Sequence, residues 1–156
     1  MRWFGKAEGE PPRLIDNAYI ARLAGHIGTD VARELLADGA IELVDRADRL
    51  KAGVAAGDRA AVVKLSHDLI AIAGHLGLSA LSFAAVDLNR GLRTGEGESR
   101  SARGSDRETA MLEKHAAGFL ALCDPSINAL DAIVKGRAAL GGEARKPGAP
   151  GGEAPE

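Results

Sequence analysis

Over most of the chain, apolar side chains recur three and four residues apart, the spacing that gathers them on one side of an α-helix. A short first helix is predicted over about Asn17 to His26, closed by Gly28. Thr29 is a candidate cap for a long second helix reaching about Ala55, with Val31, Leu35, Ala40 or Ile41, Val44, Ala47, Leu50 and Val54 as its apolar stripe. Gly57-Asp58 marks a turn, and a third helix then runs to about Leu76 with Val62, Leu65, Leu69, Ile72 and Leu76 on one seam. Gly77-Leu78-Ser79 reads as a stop followed by a new N-cap, so Ser79 opens a fourth helix whose stripe is Leu81, Ala85, Leu88 and Leu92. Ser105 and Glu108 have the spacing of a capping box and start a last long helix. At Asp124-Pro125 that helix must either kink or give way to a new one through Val134.

No segment shows the strict alternation of a strand, and the expected fold is all-α: an antiparallel four-helix bundle with a short additional N-terminal helix. Residues 17–137 form the expected bundle. The lead-in of residues 1–16, with Pro11-Pro12, is expected to be partly disordered, and the Gly/Pro-rich tail of residues 138–156 to be disordered. The hydrophilic stretch from Thr94 to Gly104 reads as a mobile loop. Composition agrees with helices: the chain is 46% hydrophobic but only 3% aromatic, so its core must be built from Ala, Leu, Ile and Val. With 20 Lys+Arg against 22 Asp+Glu there is no general drive toward nucleic acid or an anionic membrane.

The single cysteine, Cys123, has no partner for an internal disulfide, and the opening residues lack the apolar run of a signal peptide, so a cytoplasmic location is expected. Leu69 to Val86 carries no Asp, Glu, Lys or Arg, yet Gly74, His75, Gly77, Ser79 and Ser82 interrupt it. It reads as two buried helix portions and not as a membrane span.

On the third helix the seam residues take heptad positions a and d, which puts His67 at f, pointing to solvent from the middle of a rigid element. Gly74 falls at f two turns later and removes bulk beside it. Val63 and Ile70 fall at b on the outer face, where apolar groups gain nothing unless a partner or the short N-terminal helix covers them. A plain surface histidine is the competing reading.

The segment His67-Asp68-Leu69-Ile70-Ala71-Ile72-Ala73-Gly74-His75-Leu76-Gly77 resembles the signature of histidine phosphotransfer (HPt) domains. The histidine, the leucine two residues on, Gly74 and the Leu76-Gly77 pair match, and the helix from Leu78 to Arg93 is similar to the family's next helix. The resemblance spans about Asn17 to Val134, with its specific part from His67 to Arg93. It implies that His67 accepts a phosphoryl group and that Asn89 and Arg93 neighbour the phosphate; by position on the helices Lys64 is a further expected neighbour, and Val63, Ile70, Ala71, Gly74 and Val86 are the expected docking surface. Two positions depart from the pattern: Ile70 stands where the family has lysine, and Ala71 where it has glycine. Lys64, one turn before His67, is a candidate replacement for that cation, or an ordinary solvated lysine.

A neutral imidazole carries a nucleophilic ring nitrogen, and imidazoles in water titrate near about pH 6.5, so such a group is present at neutral pH. The chain has neither a P-loop nor a Rossmann fingerprint, so no autonomous use of ATP is expected. The resemblance implies a monomeric phosphocarrier that works with response-regulator receiver domains and a hybrid histidine kinase. The aspartate and Mg2+ would come from the receiver, with no cofactor on this chain. Asp68 is expected to be a solvated acid, and His75 a partly buried boundary residue. His26 and His115 lack the spacing of a metal site. The alternative is a degenerate HPt-like module that sequesters or inhibits a receiver or kinase without being phosphorylated, a view favoured by the missing lysine.

Overall fold

The computed structural model describes residues 13–94, 105–136, 138 and 140. Among these, all regular structure is helical: α1 Asn17–Ile27, α2 Thr29–Ala55, α3 Arg59–His75, α4 Ser79–Thr94 and α5 Asp106–Val134. The ends follow from local chemistry. Asp16 accepts a hydrogen bond from the Tyr19 amide at 3.0 Å and Asp58 one from the Ala61 amide at 3.1 Å, each satisfying an orphan donor of a first turn. Gly28, at φ 88°, ends α1 and itself takes the cap position of α2 in place of the expected Thr29. Ser105 accepts from the Glu108 amide at 3.2 Å, but the Glu108 carboxylate does not complete a capping box: it reaches across to Arg59 Nη1 at 3.4 Å.

Helix α2 packs against α3 and α5, and α4 packs against the same two. The space they enclose is filled by Leu36, Leu43, Leu50, Leu69, Leu81, Leu92, Leu112, Phe119 and Leu130, among others, all essentially without solvent contact. Burying each such side chain stabilises the fold by roughly 1.5–3 kcal/mol. Helix α1 lies over the α3–α4 turn. Asp16 N donates to Gly77 O at 2.7 Å, Ala80 N donates to Arg13 O at 2.9 Å, and the Tyr19 hydroxyl donates to His75 O at 2.8 Å. At Gly77, φ is +70° and a Cβ would lie 3.0 Å from the Tyr19 ring and 3.1 Å from Ile20, so the turn and the seating of α1 both require glycine there.

The stripe of α4 is buried as expected, but that of α2 is not. Val31, Leu35, Ile41 and Val44 are 54%, 50%, 72% and 38% exposed, while Ala32, Leu36 and Leu43 turn inward together with Ala47, Leu50 and Val54. The first half of α2 carries two apolar stripes a fraction of a turn apart, and packing against both α3 and α5 selects the one with Ala32 and Leu36. On α3 the buried line is Val62, Ser66, Leu69 and Ala73, with Leu65 and Ile72 only half-buried.

Helix α5 runs uninterrupted through Pro125. A proline inside a helix costs about 3 kcal/mol, and burial of Phe119 and Cys123 before it and of Leu130 and Ile133 after it offsets that cost. By length and hydropathy α5 would suffice to cross a membrane; here those apolar side chains build the core. Ala138 packs on the core and Leu140 is buried within it, so the folded unit reaches past residue 137. The expectations for residues 1–12, for the loop at 95–104 and for the tail from 141 lie outside the described residues.

Candidate functional site

His67 sits on α3 with its side chain exposed, and Lys64 and Ala71, three residues before and four after, are exposed along the same stripe. This is an open helix face that a macromolecular surface can approach. Gly74 is half-buried two turns on. Val63 and Ile70, expected on the outer face, are half-buried and pack on the core. They lie on the shoulder of α3 that faces α4, and α1 does not cover them, because it is seated at the Gly77 turn. Val86 is half-buried on α4.

Asn89 is buried between α3 and α4. Its Nδ2 donates to Val63 O and to Ser66 Oγ, both at 3.0 Å, and Ser66 Oγ in turn donates to Val63 O at 2.9 Å. Within an α-helix the Val63 carbonyl is also the acceptor for the His67 amide. Asn89 therefore grips the turn that carries the histidine from beneath. One turn further along α3, Ser82 Oγ donates to Ile70 O at 3.0 Å. These two contacts fix the height and rotation of α3 on α4 on either side of His67.

Arg93 is exposed in the last turn of α4. Its neighbour Leu92 offers its carbonyl to Arg59 Nη2, in the first turn of α3. That contact joins the end of α4 to Arg59, which itself lies about 12 Å along the axis of α3 from His67. Lys64 is thus the cation placed one turn from the imidazole.

Asp68 is not a lone solvated acid. Its Oδ2 is 2.7 Å from Arg46 Nη1 of α2, with both side chains 31% exposed, and Arg46 also lies 3.6 Å from Glu42. The carboxylate is directed toward α2 and away from the face that carries His67 and Lys64. His75 is exposed at the end of α3, not partly buried, and its carbonyl anchors Tyr19. Two contributors escaped the sequence reading. Arg46 was signalled only by its i,i+4 spacing from Glu42. Ser66 is a polar residue on an otherwise apolar seam. Among the described residues, no three His, Cys, Asp or Glu side chains gather into a metal-binding group.

Chemically, the arrangement offers one accessible imidazole, a nearby ammonium and a backbone held in a single position. No family model, no curated protein and no solved structure matches the chain.

Proposed function

We propose that the protein is a histidine phosphotransfer protein, an antiparallel four-helix bundle of α2 to α5 with α1 as the short additional helix, and that His67 is its phosphoacceptor. The observation that carries this reading is the exposure of His67 at mid-helix on a turn anchored from below by Asn89. A nucleophile that must meet a second protein has to be accessible and stationary at once, because positioning supplies much of the rate of phosphoryl transfer. In the proposed step a lone pair on a neutral ring nitrogen attacks the phosphorus of a receiver's aspartyl phosphate. The N–P bond forms, the O–P bond to the aspartate breaks, the carboxylate leaves, and the proton on the other ring nitrogen passes to solvent. The reverse step delivers the group to a second receiver. Mg2+ belongs to the receiver, and Lys64 would add charge neutralisation beside the transferred group. The setting would be the cytoplasm and the carrier a monomer, served by a hybrid histidine kinase and receiver domains.

The test is incubation with phosphorylated receivers and hybrid kinases, scoring acid-labile phosphate on this chain. His67→Gln should remove all label and change stability by no more than about 0.5 kcal/mol, as expected for an exposed position. Label that survives in this variant and disappears in His75→Gln would move the site. A second reading, a sequestering module, is favoured by one observation: Ile70, at the family's lysine position, is half-buried on the core. On that reading His67→Gln retains both partner binding and inhibition, and a wild type that binds its receiver tightly without acquiring phosphate would settle the matter against the carrier.

A further inference from the structure

The outward face of α2 has no role in the site above. Asp30, Glu34 and Asp38 follow one another at i, i+4 and i+8, all exposed, and none makes an ion pair with another described residue. Ile41 continues the same line and is 72% exposed, and Val44 beside it is 38% exposed. Asp30 has a local explanation, since a carboxylate in a first turn complements the helix dipole. Glu34 and Asp38 have none, because like charges at this spacing destabilise a helix. An exposed isoleucine within a row of carboxylates likewise contributes nothing to this fold.

The face is separate from His67. On α2 the positions that meet α3 are Gly39, where a Cβ would overlap Leu76, and Arg46, which pairs with Asp68. At about 100° per residue, Ile41 is turned away from both by roughly 140–160°.

We propose that this ridge, from Asp30 to Val44, is a docking surface for a basic amphipathic helix of a partner protein. Charge and spacing select that occupant. A second copy of this chain meeting it through a two-fold axis would set carboxylates against carboxylates, and nucleic acid or an anionic membrane would be repelled. A helix with Lys or Arg at i, i+4 and i+8 beside an apolar row matches the three acids in pitch and covers Ile41 and Val44. The inference does not rest on the phosphotransfer reading.

The probe is a synthetic helical peptide of about 18 residues, roughly five turns, with leucines on one face and lysines at the stated spacing. Its counterpart carries glutamate for lysine. Titrated into the full-length protein, the basic peptide should shift backbone amide resonances within residues 30–45, and the acidic peptide should not. Ile41→Lys should weaken binding by at least about tenfold, as should Glu34→Lys with Asp38→Lys, while His67→Gln leaves affinity unchanged. These positions are exposed, so the variants should keep the wild-type circular dichroism. Shifts spread over other acidic surfaces, or an affinity indifferent to Ile41→Lys, would overturn the proposal. So would sedimentation showing that the chain dimerises through this face.

Discussion

Helix α3 is held in two different ways on its two flanks. Toward α4 the contacts are buried and polar: Asn89 donates to the Val63 carbonyl and to Ser66, and Ser82 donates to the Ile70 carbonyl. Toward α2 they are apolar, with Leu76 over Gly39 and Val62 against Gly53, and include one Arg46–Asp68 ion pair about one-third exposed. Water cannot replace a buried hydrogen-bond partner, so the α4 flank tolerates little displacement. Water competes freely for an ion pair one-third exposed, so the polar contact of the α2 flank contributes little beside its apolar packing. The turn bearing His67 thus takes its polar anchoring from α4.

The contrast is most directly broken at Asn89. Asn89→Leu removes a donor from Ser66 and adds an apolar group against a backbone carbonyl, and should lower stability by about 1–3 kcal/mol. Urea unfolding measures this, and a loss below about 0.5 kcal/mol would show that the buried clamp is no stronger than a surface contact. A reference lies in α5, away from both flanks. Burial pushes the Cys123 thiol up from 9.0 to about 11, and its Sγ donates to Phe119 O at 3.4 Å. Because the folded state resists forming the thiolate, this contribution is fully present below about pH 9 and is lost as pH rises through about 11. The loss amounts to up to about 2–3 kcal/mol. Unfolding curves of the wild type should fall more steeply over this interval than those of Cys123→Ala; parallel curves would refute the assignment.

Ser82→Ala removes one bond to a carbonyl that remains paired within its own helix, so about 1 kcal/mol is expected. Amide exchange at Gly74, whose N–H shares that carbonyl, is the sharper readout, and unchanged protection would argue against the contact. Arg46→Ala should have the smallest effect, under about 1 kcal/mol, and smaller still at high salt. If it equals the effect of Asn89→Leu, the two flanks do not differ as described.

The chain's own order was enough for whatever depends on near neighbours. Asp58, Gly28 and Gly77 mark helix ends because capping and left-handed turns are satisfied within a few residues. The α4 stripe was legible because α4 offers only one apolar side. Helix α2 offers two, so periodicity alone could not choose between Leu35 and Leu36; the choice came from the helices on either side of it. At Pro125 the sequence left a kinked helix and a new helix both open, and burial along both halves of α5 accompanies the single helix found there. The outward placement of His67 followed from its own helix, whereas its surroundings did not. Asn89 meets Val63 across 26 residues, Arg46 meets Asp68 across 22, and Arg59 meets Glu108 across 49. A hydrogen bond between groups so far apart in the chain depends on how two helices are rotated against each other, and the packing of small and large residues at their contact sets that rotation.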